Sequence, residues 1–412
     1  MEWPVNRRVL IAERGPLAGY LHRTLLASGW ETVAVFGERD QNAPHVEQAT
    51  YASYVSSMDD PGHLVDAAVD AGCDALHPGA GSIAESEVLA DLCVRAGVAF
   101  VGPEPSQIRG LSDRWTTREI CIAAGVPVVP GGALLLNPQE AQETVDRLGF
   151  PLWLKDSWGL DAMRLHDQTE LTQQLMERLH AGQRTWLEAH VTNARHVSVP
   201  VIGDREGNVA ALGVQERLSR LDDKLSFDLL PASIPATLQT SLRDAAVAVA
   251  EAVRFSGVGS VGFLVDPSGA TPCIGLRPRL TLGAVVADHL YGIRLAETQV
   301  RVALGDDLGW DAAHLATEDV ALTVRIRALT AGTLTAFDMP TGVQVETSYA
   351  AGMHAGGLLA LLVVTGPTRQ SCVVRASAAL GQVDIQGVET DLDQVQAQLV
   401  DERIWHGHAP TD

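Results

Sequence analysis

The sequence predicts an α/β protein that opens on a parallel, doubly wound sheet and continues into units of mixed topology. Three observations carry this. Short apolar runs alternate with helical patterns from Arg8 to Val101, as in a β-α-β-α unit. A turn-rich stretch, GVPVVPGG at Gly125 to Gly132, ends the alternation and marks a boundary. The chain has 412 residues, enough for two to four domains at about 100–200 residues each.

The elements follow in order. Arg8 to Ala12 (RVLIA) reads as a buried strand, Ala18 to Ser28 as a helix and Thr32 to Phe36 as a second strand. His63 to Ala71 is helical, and Ala75 to Pro78 then leads into a glycine-containing loop. Glu87 to Ala96 is helical and Ala99 to Val101 extended. Beyond the boundary come a helix at Pro138 to Leu148, a strand at Pro151 to Lys155 and a helix at Glu170 to His180. Strands follow at Thr185 to His190 and Val197 to Ile202, then a hairpin turn at Asp204 to Asn208. Ala236 to Val253 is an amphipathic helix, and short strands are expected from there to Val374. The tail, His406 to Asp412, reads as frayed. No repeat, coiled coil or low-complexity block occurs.

With 46% hydrophobic and 20% charged residues the chain can bury a large core and is not a disordered one. The net charge of −21 excludes a general nucleic-acid binder, since a phosphate backbone needs a basic surface. It also argues against docking on anionic membrane. The most apolar stretch, Gly356 to Val364, is too short to span a bilayer, and no signal-peptide pattern opens the sequence. Five scattered cysteines without a C-x-x-C pair suggest neither a disulfide framework nor a zinc site. A reducing cytoplasm is the expected compartment.

Six stretches together carry a family resemblance: VLIAERG at Val9 to Gly15, LHPGAGSIAES at Leu76 to Ser86, Phe100 to Gly132, Arg195 to Gly213, Ser256 to Val265 with Pro278 to Leu280, and Gly342 to Thr390. They resemble the biotin carboxylase component of biotin-dependent carboxylases, an ATP-grasp fold, over nearly the whole chain from Val9 to His406. The resemblance implies an N-terminal Rossmann-like domain at 1–125, an ATP-grasp domain at 126–315 with a lid at about 133–205, and a C-terminal α+β domain at 316–412. It makes a homodimer the default assembly and a carboxylase subunit a possible partner. The family's biotinyl carrier segment with its Met-Lys-Met does not occur in the sequence.

Residue by residue, the resemblance implies that much of the family's chemistry has been replaced. The glycine-rich loop over the triphosphate, KASGGGGGRGMR in the family, matches KDSWGLDAMR at Lys155 to Arg164, where only Gly159 remains and Trp158 and Asp161 intrude. Phosphoryl transfer needs Mg²⁺ on hard oxygen ligands. The two glutamates and the asparagine that the family supplies align with Gly262, Gly275 and Arg277. At the carboxylation centre Arg279 is kept, but Thr281, Leu282 and Gly283 replace a Gln-Val-Glu run. Gln344 replaces a later arginine, Asp223 a histidine and Leu225 a lysine, while Ala80 and Ser82 replace a tyrosine and a phenylalanine. Lys155, Arg114, Glu188, Arg195 with His196, His77 and Glu85 persist or are conservatively changed. Each of these also admits a purely structural role.

The substitutions lean apolar: Trp158, Leu160, Leu225, Leu282 and Ala284, with Trp115 and Trp153 in the same motifs. The expectation is a former active-site cleft that binds an apolar small molecule and calls for no metal and no cofactor. Arg279, His77, Glu85 and His196 are the candidate catalytic groups, and Arg277, Lys155, Trp158, Arg114, Trp115, Glu188 and Leu282 the candidate ligand contacts. A cyclisation or isomerisation fits such a site, because shape and a few hydrogen bonds can suffice. The alternative is a non-catalytic scaffold or regulator of a carboxylase complex, in which the tryptophans only fill space.

Overall fold

The computed structural model describes residues 7–157, 162–221, 224–309, 315 and 317–401, and only the backbone where it is described within 219–225. Trp158, Gly159, Leu160, Asp161 and the tail from 402 lie outside the described residues, as do the side chains of Asp223 and Leu225.

The first sheet is parallel and has the strand order β3-β2-β1-β4-β5. Its strands are β1 (Arg8–Ile11), β2 (Glu31–Phe36), β3 (Tyr51–Tyr54), β4 (Ala75–His77) and β5 (Ala99–Phe100). Helices α1 (Gly15–Ala27), α2 (Pro44–Gln48), α3 (Pro61–Asp70) and α4 (Glu87–Ala96) connect them. The order reverses beside β1, so the loops after β1 and β4 open onto a crevice at the carboxyl ends of the strands. Local chemistry sets the helix ends. Asp60 accepts from the Gly62 and His63 amides at the start of α3, Ser86 caps α4, and Gly97 ends α4 in the left-handed region.

Helices α5 (Pro105–Ser112) and α6 (Arg114–Ala123) follow. Periodicity assigns no element to this segment. Asp113 starts α6 by accepting from the Trp115 and Thr116 amides. Helix α7 (Pro138–Leu148) and α8 (Gln168–His180) then cover a three-stranded antiparallel sheet of β6 (Leu152–Asp156), β7 (Met163–Leu165) and β8 (Thr185–Ala189), ordered β7-β6-β8. Leu135, Leu152, Leu154, Leu165, Leu171, Leu175 and Leu187 form a core of their own there.

Nine of the remaining described strands join one large sheet. It contains β9 (Arg195–Gly203), β10 (Val209–Ala211), β11 (Gln215–Leu221), β12 (Lys224–Leu230), β13 (Gly257–Val265), β14 (Cys273–Arg277), β15 (Val320–Thr333), β17 (Gln344–Glu346) and β18 (His354–Gly366). Helix α9 (Ala236–Ala252) packs Leu242, Ala246 and Val249 with Val199, Val201 and Phe263. Helices α10 (Leu282–Tyr291) and α11 (Leu295–Ala303) bury Val285, Val286 and Val300 with α1 and β1. Helices α12 (Arg369–Leu380) and α13 (Leu392–Leu399) close the far face. A small pair, β16 (Ala336–Asp338) and β19 (Asp384–Gln386), completes the set.

The expectation of short strands up to Val374 is corrected here. β15 and β18 run 14 and 13 residues, and Val374 lies within α12. The sheet also passes from β12 directly to β15, so it runs unbroken across the 315/316 boundary. Length explains the difference, because periodicity alone does not separate one long strand from several short ones. Among the described residues no helix is long and apolar enough to cross a membrane.

Candidate functional site

Two cavities flank the end of β14. The first, of about 510 Å³, lies between the start of α1, the loop after β4, the start of α10, and strands β11, β15 and β18. Three distant segments of the sequence meet in its wall. The Glu13 carboxylate accepts from the Ala80 amide at 2.7 Å and the Arg14 amide at 2.8 Å. Arg279 donates Nη1 to the Ala80 carbonyl at 2.6 Å and Nε to Glu85 at 2.5 Å. Gly79, at φ +74, makes the approach possible, since a Cβ there would sit 2.2 Å from Glu13 Oε2. Burial raises the Glu13 carboxyl above its ordinary range, opposed by the amides and by Arg279. Deeper in the wall Arg325 pairs with Asp228, both almost fully buried.

On the opposite side of this cavity Thr281 caps α10, which sets Leu282 and Gly283 at the opening. The buried Gln215 amide donates to the Gly283 carbonyl. A Cβ at 283 would collide with it at 1.9 Å.

The second cavity, of about 370 Å³, lies between α6, the β6-β8 sheet and β14. Glu188 is its electrostatic centre. It accepts from Lys155 at 2.5 Å, Arg118 at 3.0 Å and the Trp186 indole at 2.8 Å. Trp115 stands edge-on behind Trp186, with ring centroids 5.4 Å apart, and Trp153 donates to His190 Nδ1 at 3.1 Å. Cys121 and Cys273 meet on the cavity wall with sulfurs 3.4 Å apart. Both are free thiols.

The wall shared with β13 contains no carboxylate. Gly262 pairs with Gly275, and Ser260 with Arg277. Ile274 occupies the space over Gly262, where a Cβ would meet its Cγ1 at 2.8 Å. Arg277 lines both cavities. Its guanidinium is lowered to about 10, first by desolvation in the cleft and then by the charges of Arg114, Arg217 and Arg279. Among the described residues no group of three or more His, Cys, Asp and Glu side chains is placed to hold a metal ion.

The structure thus brings Lys155, Glu188, Arg114, His196 and Arg277 to the second cavity, and Arg277, Arg279 and Leu282 to the first. Trp115 reaches the second only through Trp186. Glu85 is engaged by Arg279 behind the first wall. His77 lines neither cavity: it is wholly buried, its Nδ1 accepts from the Gly79 amide, and burial lowers it to about 4. Arg195 spans β9 and β11 to Glu216, with Nε 2.8 Å from Oε1. Gln344 donates to Glu346 at 3.1 Å, away from both cavities. The sequence reading missed Glu13, Arg217, Arg325 with Asp228, and the Cys121–Cys273 contact. Glu13 sits inside the first motif and is the only one of these with a local signal.

A model for the biotin carboxylase N-terminal domain matches residues 5–108, and one for the ATP-binding domain of the carbamoyl-phosphate synthase L chain matches 113–310. Chloroplastic biotin carboxylase of Arabidopsis thaliana is 30% identical, over 98% of this chain and 81% of the relative. The chain belongs to the biotin carboxylase family. The mitochondrial methylcrotonoyl-CoA carboxylase subunit alpha of Glycine max is 30% identical over 94% of this chain and 58% of its own. Among solved structures, the biotin carboxylase domain of Hydrogenobacter thermophilus 2-oxoglutarate carboxylase superposes with a TM-score of 0.92 at 26% identity, covering 98% and 96% of the two chains. That domain was solved as a dimer with MgADP, ADP and bicarbonate. The whole chain therefore has the biotin carboxylase-like ATP-grasp fold.

Proposed function

We propose that this family member no longer performs Mg–ATP-dependent carboxylation and that its cleft binds a small molecule with an apolar body. The observation that carries the reading is the β13–β14 wall. Gly262 and Gly275 offer no oxygen ligand, Ile274 fills the space above Gly262, and Arg277 adds a positive charge. A divalent cation does not fit these residues, because it needs hard anionic oxygens and would be repelled by the guanidinium. The second cavity has apolar surface from Val129, Trp153, Leu264 and Ile274 beside a strongly charged set of side chains, and a small-molecule site combines these two kinds of surface.

Binding is better supported than turnover. Arg279 is held by Glu85 and His77 is sealed in the protein. A cofactor-free cyclisation or isomerisation would depend mainly on shape and on His196, which lines the second cavity. A second reading, a homodimeric scaffold within a carboxylase assembly, draws support from the dimeric H. thermophilus domain and from the relative named as a carboxylase subunit.

Calorimetry with ATP and Mg²⁺, and bicarbonate-dependent ATP hydrolysis with free biotin, test the loss of nucleotide chemistry. Neither heat nor hydrolysis is expected. Micromolar Mg–ATP affinity with bicarbonate-dependent turnover would return the chain to the carboxylases.

A further inference from the structure

The chain carries a net charge of −21, yet cations crowd the cleft. Most of them have an acid. Arg118 and Lys155 share Glu188, Arg279 holds Glu85, and Arg325 holds Asp228. Arg277 and Arg114 differ. Among the described residues neither guanidinium has a hydrogen-bond or ion-pair partner, and both line the second cavity. They approach it from different elements, Arg277 from the end of β14 and Arg114 from the first turn of α6.

This arrangement costs stability in the empty protein. Arg277 keeps its charge at neutral pH although desolvation and three neighbouring cations oppose it. An oxyanion placed between Arg277 and Arg114 would offset that cost through charge-assisted hydrogen bonds. Beside the two guanidinia, Trp153, Val129 and Ile274 supply apolar surface in the same cavity. A cationic cleft in an otherwise acidic protein also concentrates small anions at its mouth.

We propose that Arg277, with Arg114, anchors a ligand made of an oxyanion head, carboxylate or phosphate, on an apolar body lying along Trp153 and Ile274, and that this ligand binds without a metal ion. The proposal rests on the reading of the cleft as a small-molecule site and adds the class of ligand and the residue that selects it. Arg277 is a specificity-determining residue in this scheme.

The test is calorimetry in EDTA with three probes that share one body: phenylbutyrate, phenylbutyl phosphate and phenylbutanol. At least one acid is expected to bind, with the alcohol about tenfold or more weaker, the size of a hydrogen bond to a charged group. The Arg277→Gln variant should lose about tenfold or more in affinity for the acid and nothing for the alcohol, and Arg277→Lys should restore part of the loss. The acid's affinity should fall as salt rises. The salt series and the acid-to-alcohol ratio need only the wild-type protein, so they stand if a variant fails to fold. An alcohol that binds as well as the acids would overturn the anchor and leave the small-molecule cleft in place. An acid indifferent to Arg277→Gln would do the same. No heat with any probe to millimolar concentration would overturn the ligand class, while the Mg–ATP titration alone decides the loss of nucleotide chemistry. Preference between carboxylate and phosphate identifies the head group.

Discussion

The two cavities share Arg277 but solve their electrostatics in opposite ways. In the first, Arg279 faces Glu85, Arg325 faces Asp228, and Glu13 is satisfied by backbone amides. Its polar groups hold three stretches of chain together. In the second, Lys155 and Arg118 share Glu188, Asp156 is engaged by Arg178, and Arg114 and Arg277 have no hydrogen-bonded or ion-paired acid among the described residues. Compensated charges of the first kind act as structure, because removing one partner strands the other away from water. Uncompensated charges of the second kind are the ones left over for a ligand. Both cavities lie in clefts that sequence similarity assigns to one family, so motif matching alone does not separate them.

The deepest pair gives the largest way to break that comparison. Asp228→Asn leaves Arg325 buried without its counter-charge, since both side chains are less than a tenth exposed. A loss of about 3–5 kcal/mol is expected by urea denaturation. A loss below about 1 kcal/mol would mean that water already satisfies Arg325 and that the first cavity is not held by its ion pairs.

A sharper contrast comes from two arginines two positions apart on one segment. Arg279→Ala removes a partner from Glu85 and from the Ala80 carbonyl. Both side chains of that ion pair keep about a quarter of their surface exposed, so the cost, discounted for solvent screening, is about 1–2 kcal/mol. Arg277→Gln removes a charge that three neighbouring arginines repel and only Glu85 attracts, more weakly, and stability should stay within about 0.5 kcal/mol or rise. Thermal or urea denaturation of the two variants, side by side, reads the difference directly. Equal losses would show that Arg277 has a structural partner after all and would erase the distinction between the cavities.

The fold was legible where pattern and caps agree. The alternation from Arg8 to Val101 predicts a doubly wound sheet that forms with parallel register, and Glu87 to Ala96 and Pro138 to Leu148 are helices with those bounds. Helices α5 and α6 escaped because their buried faces are thin: only Ile108 and Leu111 in one, and Thr117 and Cys121 in the other. The replacement of acids by Gly262 and Gly275 could be read along the chain, but the filling of that space by Ile274 could not, because a bulge between Gly262 and Phe263 decides it. Pairing is the other illegible layer. Arg277 and Arg279 look alike in the sequence, and only the distance from Arg279 to Glu85, 194 positions earlier, distinguishes a bound guanidinium from one without an acid.

Acid gives the smallest and most local test of the same contrast. His77 lies behind the loop that closes the first cavity, where its Nδ1 accepts from Gly79. Burial lowers it from an ordinary 6.5 to about 4, with Gln299 opposing. The unfolded chain therefore binds the proton first as pH falls, so this stabilisation is complete above about 6.5 and is lost as pH drops toward about 4. His22, buried against Thr32 and lowered to about 3, acts with the same sign over a window that reaches further down. Glu13 is raised by burial and takes up its proton earlier in the folded protein, which offsets part of the loss. Arg277, lowered only to about 10, keeps its charge throughout this range. Melting temperature should fall between about pH 6.5 and pH 4, and amide exchange should rise at Gly79 and Ala80 before it rises on β14. In His77→Gln the slope of melting temperature against pH should flatten, whatever the variant's stability at neutral pH. An unchanged slope would place the acid sensitivity in other buried groups, His22 and its neighbour His45 among them, and free the first cavity from any dependence on the protonation of His77.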